Sequence, residues 1–376
     1  MKKNRMIALL LAVLTVLPLI SAVKAADVSA YSAVLIEAES GDVIYEKNAD
    51  VRLPMASTTK IMTAVVALEY CDCEKAVTVP SEACGVEGSS VYLTAGERLT
   101  FGELLYAMLL ESANDAATAI AIETAGSVEA FADMMNEKAA SLGLKNTHFT
   151  NPHGLYDEAH YTTAKELAKI AAYALRNPKF SEIVSTYKYK IPLKNGEGTR
   201  VLVNHNRLLR MSDEVIGVKT GFTKKSGRCL VSAAERDGVR VVAVTLNAPD
   251  DWNDHLALLN EGLSAYESFT LAEDGQYSIE IPAVYSDDGF LTVKNAAPLT
   301  KTMKTGTKVE ATVEAPHIIL TEVCAGDEVG RVVFSANGKE IASVPLVSCE
   351  TTERPRKKNL FEKIAGLFRQ EQNGKD

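Results

Sequence analysis

A long helical segment lies between two strand hairpins, and this order limits the possible folds more than any other feature of the sequence. One hairpin is predicted at residues 32–47 and another at residues 229–246, around the tight-turn dipeptide Asp237-Gly238. Residues 50–185 carry helix-spaced apolar positions and capping pairs. We therefore expect one antiparallel sheet built from both ends of the segment, with a helical lobe inserted into it.

Local signals predict further elements. Thr100 and Glu103 have the spacing of a helix-capping box, and the last helix of the helical segment is expected to end before Asn177. Residues 187–192 and 200–203 flank the turn dipeptide Asn195-Gly196, which predicts a hairpin before the strand at 215–220. Residues 256–266 are expected to form a closing helix.

The sequence changes character near residue 272. With 376 residues, two or three domains are expected. Residues 26–272 contain both hairpins and the helical segment, which predicts an α/β fold of the α+β kind. Residues 273–350 contain only short alternating runs separated by Gly, Asp and Pro, which predicts a small all-β, sandwich-like domain.

Residues 1–25 have the parts of a secretory signal peptide. Three basic residues lie within the first five positions, and an apolar run follows at residues 6–20. Val23 and Ala25 are the small residues expected before a cleavage site. The alternative is an uncleaved N-terminal anchor. Both interpretations place the rest of the chain outside the cytoplasm, and no later segment has the roughly 18 continuous apolar residues of a spanning helix.

The C-terminal residues 351–376 are predicted to form a linker and an amphipathic helix. Residues 354–369 carry six basic residues and one acidic residue, a formal charge of +5, whereas the whole chain carries −9. An acidic chain is not expected to bind nucleic acid. Basic helices with one apolar face lie in membrane interfaces, so residues 356–369 are expected to attach the protein to the outer face of the cytoplasmic membrane. The alternative is a helix docked on the protein's own surface. The apolar face comprises Leu360, Phe361, Ile364, Leu367 and Phe368.

Six cysteines are compatible with disulfides in an exported protein. In chain order they are Cys71, Cys73, Cys84, Cys229, Cys324 and Cys349. One of the first two is a candidate partner for the third, and the last two are candidate partners for each other. The fourth lies in an apolar run, which predicts a buried thiol. No metal site is expected, because no Cys-x-x-Cys pair is present and the six histidines are scattered.

A serine and a lysine at the start of a predicted helix form the first candidate catalytic pair. Ser57 and Lys60 are three positions apart, so their side chains share one helical face. A serine becomes a nucleophile when a base lies within hydrogen-bond reach, and a lysine can be that base if its pKa is lowered. The alternative is a helix-capping serine beside a solvated lysine.

Two further candidate groups lie at a helix break and at a strand end. Ser112 could relay a proton, and Asn114 offers both a donor and an acceptor to a peptide bond. Lys219 would supply positive charge, Thr220 a hydroxyl for a substrate carboxylate, and Gly221 space for close backbone approach. The alternatives are a capping loop for the first group and an ordinary strand end for the second.

The triplet Lys-Thr-Gly occurs a second time, at residues 304–306. It lies between short strands of the predicted β domain. No apolar run like residues 215–218 precedes it. We therefore interpret this copy as a turn.

The three groups together have the order Ser-x-x-Lys, Ser-x-Asn and Lys-Thr-Gly, with separations of 55 and 107 residues. In these motifs and around them the chain resembles the serine-type D-Ala-D-Ala carboxypeptidases, the low-molecular-mass penicillin-binding proteins of peptidase family S11. The resemblance covers about residues 28–270 and implies a β-lactamase/transpeptidase-like domain. The matching stretches are residues 54–64, 110–117, 151–155 and 218–223.

The resemblance implies an acyl-serine mechanism on peptidoglycan stem peptides. Ser57 would attack the carbonyl between the last two D-alanines, and Lys60 would take its proton. Ser112 would pass a proton to the leaving D-alanine, with Lys219 tuning that serine. β-Lactam antibiotics would acylate Ser57 as substrate mimics. Neither a metal nor a cofactor is implied.

The same resemblance implies how the substrate is held. Asn114 would bind the substrate amide, and Thr220 and Thr223 would face the terminal carboxylate. The backbone N–H groups of Ser57 and Phe222 would form the oxyanion hole.

The roles of one stretch and two single residues do not follow from the three motifs. Many members of the family carry an arginine shortly after the last core strand, and residues 248–255 contain none, which leaves the recognition of the carboxylate open. Glu166 lies three residues after Thr163, which favours a helix cap over a deacylating base. His153 is expected to have a structural role in a turn and no catalytic role.

Two other functions are compatible with these motifs. A serine β-lactamase would share the catalytic groups, but it needs neither a β domain nor a basic tail. A catalytically inactive protein that binds cell-wall peptides is the second alternative, and the three intact motifs argue against it.

Overall fold

A five-stranded antiparallel sheet forms the centre of the N-terminal part of the chain. The computed structural model describes residues 28–193 and 198–354. The sheet has the strand order β2-β1-β9-β8-β7. Strand β1 pairs with β9 along its length, from Ser32 opposite Leu246 to Glu37 opposite Val241. The two ends of the segment therefore meet in one sheet, as predicted. Its strands are β1 (Ser32–Glu37), β2 (Val43–Lys47), β7 (Val215–Thr223), β8 (Gly227–Arg236) and β9 (Val239–Leu246).

Six helices between β2 and β7 form a lobe on one face of this sheet. The lobe and the sheet share one large apolar core, in which α1 is buried from Lys60 to Ala67. Thr100 and Glu103 form the predicted capping box at the start of α2. The helices are α1 (Lys60–Tyr70), α2 (Phe101–Leu110), α3 (Asn114–Ala125), α4 (Val128–Ser141), α5 (Ala164–Ala174) and α6 (Pro178–Ser185).

The opposite face of the sheet is covered by helix α7 (Asp251–Ala265). Alternate residues of β8 divide between the two faces, so that Leu230 belongs to the core under α7 and Val231 to the core under the helical lobe. The helix was predicted from Leu256, and it begins five residues earlier. Its first turn is polar, and its buried carboxylates are held by long-range contacts that hydrophobic periodicity does not reveal.

Two short hairpins lie outside the central sheet. Strands β3 (Ala76–Thr78) and β4 (Arg98–Thr100) pair with each other. Strands β5 (Lys188–Pro192) and β6 (Thr199–Val203) form the hairpin predicted before β7. The predicted turn of the second hairpin lies in residues 194–197, outside the described residues.

The C-terminal part is a β domain, as predicted. Its five-stranded sheet has the order β11-β12-β16-β15-β14, and β10 pairs with β13 in a separate ladder. Strands β10 and β13 were not predicted. The strands are β10 (Tyr266–Ala272), β11 (Ser278–Pro282), β12 (Phe290–Asn295), β13 (Leu299–Lys304), β14 (Glu310–Glu314), β15 (Glu328–Ala336) and β16 (Lys339–Ser348).

The candidate disulfides are absent, since all six cysteines are free. Cys229 is buried as predicted, and burial raises the pKa of its thiol to about 11. The signal peptide at residues 1–25 and the amphipathic segment at 356–369 lie outside the described residues. Within residues 28–193 and 198–354, no helix is long and apolar enough to cross a membrane.

Candidate active site

The nucleophile candidate lies in a 3-10 turn that leads into α1. Residues Ala56–Thr59 form this turn, and Lys60 begins the α-helix. Ser57 is half-buried, and its Oγ lies 3.2 Å from the Nζ of Lys60. The predicted contact between serine and lysine is therefore present at hydrogen-bond distance.

Lys60 is fully buried and is surrounded by oxygen atoms. Its Nζ lies 2.7 Å from the Oδ1 of Asn114 and 2.7 Å from the backbone carbonyl oxygen of His153. The Oγ of Ser57 is the third and most distant neighbour. Both polar contacts at 2.7 Å come from groups outside α1, so the lysine is held in place by the rest of the lobe.

Burial lowers the pKa of Lys60 well below its ordinary value. The charge of Lys219 acts in the same direction, and the carboxylate of Asp115 opposes both. A neutral amine has two N–H donors and one lone pair. The two oxygens at 2.7 Å can accept the donors, which leaves the lone pair facing the hydroxyl of Ser57. This arrangement suits a general base.

Ser112 and Asn114 lie where α2 gives way to α3. Ser112 is 5% exposed and has a positive φ of 59°, a conformation that marks a sharp change of chain direction. Asn114 is the first residue of α3, and its amide is engaged at both ends. Its Oδ1 accepts from Lys60, and its Nδ2 donates to the carbonyl oxygen of Glu87 at 2.5 Å. Asn114 therefore positions the lysine in the free protein.

The edge strand β7 forms the other wall of the site. Lys219 is 2% exposed, and its Nζ donates to the carbonyl oxygen of Thr220 at 3.0 Å. Burial lowers the pKa of Lys219 to about 7, and the carboxylate of Glu111 opposes the shift. At Gly221 a Cβ atom would stand 3.0 Å from the backbone nitrogen of Ser57 and 3.2 Å from the Met55 carbonyl oxygen. A side chain here would therefore force the backbone of the nucleophile turn to shift by a few tenths of an ångström.

An open cleft of about 310 Å³ joins these walls. Ser57, Ser112, Thr220, Gly221 and Phe222 are the predicted residues that line it. The ring of Phe222 is 66% exposed at the rim. The remaining lining residues are Ser89, His205, Arg228, Asp251 and Trp252.

Thr223 is a predicted site residue that does not line the cleft. Its hydroxyl lies 2.8 Å from that of Ser226, and the two residues exchange further hydrogen bonds with each other's backbone N–H groups. The hydroxyl of Thr223 is thus already used to close the turn after β7.

The turn that follows α4 supports the site from behind. His153 contributes its backbone carbonyl, in agreement with the structural role predicted for it. Burial lowers the pKa of its imidazole to about 3, so the ring is neutral at neutral pH. Gly154 packs so closely that a Cβ would stand 1.9 Å from the carbonyl oxygen of Ala56, and its φ of +86° also favours glycine.

Glu166 does not line the cleft. Its backbone N–H donates to the hydroxyl of Thr163, as predicted for a helix cap. Its carboxylate accepts from the backbone N–H groups of Lys145 and Asn146 and from the hydroxyl of Thr147. The side chain therefore holds a loop, and the expected capping interaction is made only by its backbone.

Several residues of the site were not predicted from the sequence. Glu111 accepts from the backbone N–H of Val203 at 2.6 Å and lies 3.1 Å from the Nε2 of His205. Burial and the charge of Lys219 lower the pKa of His205, and Glu111 opposes them. No local pattern marks these contacts, because they join residues about 90 positions apart. Within residues 28–193 and 198–354, no cluster of three or more His, Cys, Asp or Glu side chains could hold a metal ion.

Comparison with known proteins identifies the family of the chain. The family of D-alanyl-D-alanine carboxypeptidases, peptidase family S11, matches residues 20–250, which is more than half of the chain. The chain belongs to this family. The C-terminal domain of penicillin-binding protein 5 matches residues 266–354. Both the resemblance and the fold class predicted from the sequence are confirmed.

Individual relatives of this carboxypeptidase chain align over most of its length. The D-alanyl-D-alanine carboxypeptidase DacF of Bacillus subtilis is 33% identical over 336 residues, 86% of each chain. The D-alanyl-D-alanine carboxypeptidase DacC of Escherichia coli is 31% identical over 350 residues, 88% of this chain and 86% of that protein. The structure of penicillin binding protein 5 from Haemophilus influenzae matches with a TM-score of 0.67 at 28% identity, covering 88% of this chain and 100% of that one.

Proposed function

We propose that this protein is a D-alanyl-D-alanine carboxypeptidase that removes the terminal D-alanine from peptidoglycan stem peptides through an acyl-serine intermediate. The observation that carries the proposal is the environment of Lys60. A fully buried amine with a lowered pKa, two oxygen acceptors at 2.7 Å and Ser57 at 3.2 Å is suited to take a proton from that serine.

In the acylation step the Oγ of Ser57 attacks the carbonyl carbon of the last peptide bond, and its proton moves to the Nζ of Lys60. The negative charge that develops on the carbonyl oxygen would be stabilised by the backbone N–H groups of Ser57 and Phe222. Each such donor typically contributes a few (~3) kcal/mol. Gly221 permits the close approach of β7 to Ser57 on which this arrangement depends.

The leaving D-alanine must gain a proton as the carbon–nitrogen bond breaks. Ser112 lines the cleft with Ser57 and is the candidate donor. The proton that Lys60 took from Ser57 can return to the leaving nitrogen through the hydroxyl of Ser112, and the charge of Lys219, whose pKa burial lowers to about 7, tunes that serine. In the second step neutral Lys60 takes a proton from water as the water oxygen attacks the ester carbonyl carbon, and the same proton passes to the Oγ of Ser57 as the ester bond breaks.

The proposal keeps the other predicted contacts to the substrate, and the structure refines two of them, those of Asn114 and Thr223. Asn114 would hold the substrate amide, and in the free protein it already positions Lys60. Thr220 lines the cleft and would face the terminal carboxylate. Thr223 would reach that carboxylate only by giving up its hydrogen bond to Ser226.

β-Lactams would acylate Ser57 and remain bound for long periods. Asp251 is the only carboxylate among the described residues that line the cleft, and it is paired with Arg228. Glu166, the candidate deacylating base of a β-lactamase, holds a loop instead. A carboxypeptidase is therefore a better match than a β-lactamase.

The proposal extends to location and domain division. Export through a signal peptide at residues 1–25 would place the catalytic domain, residues 26–272, outside the cytoplasm. The β domain at 273–350 would separate it from a membrane-bound helix in residues 351–376. Cell-wall relatives and the match of residues 266–354 to the C-terminal domain of penicillin-binding protein 5 support this arrangement.

D-Alanine release from diacetyl-L-Lys-D-Ala-D-Ala tests the activity. The wild type and the control Ser40→Ala, which alters an exposed turn between β1 and β2, are expected to release D-alanine at equal rates. Ser57→Ala is expected to release none. The proposal fails if the wild type releases no D-alanine, or if Ser57→Ala retains the activity. Rapid hydrolysis of benzylpenicillin would indicate a β-lactamase.

A further inference from the structure

One wall of the cleft carries a positive charge that the mechanism above does not use. Arg228 is the only lysine or arginine among the described residues that line the cleft. It stands opposite Phe222 in the pairing of β8 with β7, and two positions further along the ladder Thr220 stands opposite Leu230. Directly opposed residues of antiparallel strands share a face, so Arg228 and Thr220 are diagonal neighbours on one face, within reach of a long side chain.

The guanidinium of Arg228 is held in a fixed position by α7. Its Nη2 donates to the Oδ1 of Asp251 at 2.8 Å, and Asp251 is 3% exposed. Its Cζ lies 5.5 Å from the centre of the Trp252 ring, a distance typical of a cation–π contact. A buried carboxylate and an aromatic face thus orient a side chain that is itself 42% exposed.

This guanidinium has donors left for a ligand. The Nε of Arg228 is buried and has no hydrogen-bond partner among the described residues. Because protein atoms cover this Nε, the donors open to a ligand are those of the two terminal nitrogens, of which only Nη2 is engaged among the described residues, by Asp251. Arginine presents several N–H donors in one plane, so it can bind Asp251 and a second carboxylate at the same time.

We infer that Arg228 binds the terminal carboxylate of the substrate together with Thr220, and that Asp251 and Trp252 are positioning residues for it. The inference rests on the proposed carboxypeptidase function and assigns its carboxylate specificity. It also accounts for the lack of an arginine in residues 248–255. The positive charge enters the cleft from β8, and the stretch without arginine supplies the two residues that orient it.

The test compares ligands with and without the carboxylate charge. kcat/KM for D-alanine release from diacetyl-L-Lys-D-Ala-D-Ala is compared with that for D-alaninamide release from the C-terminal amide of the same peptide. The rate of acylation by benzylpenicillin is compared with that by its methyl ester. In the wild type the free acids are expected to react at least about 10-fold faster than the neutral forms.

Arg228→Gln is expected to slow the reactions of the free acids by about 10- to 100-fold and to leave those of the amide and ester within about twofold. Arg228→Lys should recover part of the preference. Asp251→Asn should raise KM for the acid peptide and leave kcat almost unchanged. Arg207→Gln is the matched control, because Arg207 contacts the same Trp252 ring at 5.8 Å and does not line the cleft.

Equal losses for charged and neutral ligands in Arg228→Gln, or an unchanged acid preference, would overturn the inference while leaving the proposed function intact. A wild type that releases no D-alanine but is acylated by penicillin contradicts the proposed function, and the acid and ester penicillins then still decide the role of Arg228. A wild type inert to all four ligands overturns both.

Discussion

The two Lys-Thr-Gly triplets of this chain have the same residues and opposite surroundings. Lys219 is 2% exposed on the edge strand of the central sheet, and Gly221 lies against the backbone of Ser57. Lys304 is exposed at the end of β13, and Gly306 has open space around it and a φ of +78°. In the second triplet the backbone N–H of Thr305 donates to the carbonyl oxygen of Ala265.

This difference shows that the neighbours of the triplet determine its chemistry. Packing of the helical lobe against β7 buries Lys219 and brings its pKa to about 7. Nothing comparable covers residues 304–306, so the same side chains close a turn. The apolar run at residues 215–218 was the sequence feature that distinguished the two copies, because it predicted a strand leading into a core.

The largest expected difference between the triplets is in acylation. Lys219→Gln is expected to lower the second-order rate of acylation by benzylpenicillin about 100-fold or more, because it removes a buried positive charge that helps to lower the pKa of Lys60. Lys304→Gln should leave the rate within about twofold of the wild type. Labelling with a fluorescent penicillin at several times measures both rates. Equal effects of the two substitutions would contradict the distinction.

Substitution of Gly221 should affect acylation, whereas substitution of Gly306 should affect only stability. Gly221→Ala places a Cβ against backbone atoms of the nucleophile turn and is expected to lower the acylation rate about 10-fold or more. Gly306→Ala meets no atom but forces alanine to a positive φ, which should lower the free energy of unfolding by about 1 kcal/mol without changing acylation. Acylation rates and urea denaturation of both variants test this. The reverse pattern would contradict the account.

Lys219 and Lys304 should also differ in how their contributions to the free energy of unfolding change with pH. The pKa of Lys219 is about 7 in the folded protein and about 10.4 in an unfolded chain. Between about pH 7 and pH 10.4 Lys219 is protonated in the unfolded chain and neutral in the folded protein. Raising the pH through this range therefore increases the free energy of unfolding. Between pH 7.5 and 8.5 the free energy of unfolding of the wild type, measured relative to that of Lys219→Met, should rise by about 1 kcal/mol.

Urea denaturation of the wild type, Lys219→Met and Lys304→Met at both pH values provides the measurement. The exposed Lys304 serves as the matched control, and its substitution should change stability by the same amount at each pH. A difference between wild type and Lys219→Met that does not vary with pH would show that Lys219 is not buried as described.

Features encoded by nearby residues were predictable from the sequence. The capping box of Thr100 and Glu103, the proximity of Ser57 to Lys60 and the tight turn at Asp237-Gly238 all depend on a few consecutive positions. The central sheet followed from the order of the elements. Helix α6 was missed although Asn177 caps it and a proline follows, which is an ordinary start signal.

Features that depend on distant residues were not predictable. The pairing of β10 with β13 joins segments about 30 residues apart. The first turn of α7 contains the buried Asp251, whose charge is paired with Arg228 on β8. The hydrogen bonds that position Lys60 come from Asn114 and His153, 54 and 93 residues away. Such contacts follow from tertiary packing, which one sequence does not reveal.

The most direct test of the central claim is to locate the acyl group. The wild type is incubated with benzylpenicillin, digested with trypsin and analysed by mass spectrometry. Cleavage after Arg52 and Lys60 gives the peptide 53–60, which contains Ser57. The account predicts one penicilloyl group on this peptide at Ser57 and no adduct in Ser57→Ala. An adduct on Ser112 or any other residue, or no adduct in the wild type, would contradict it.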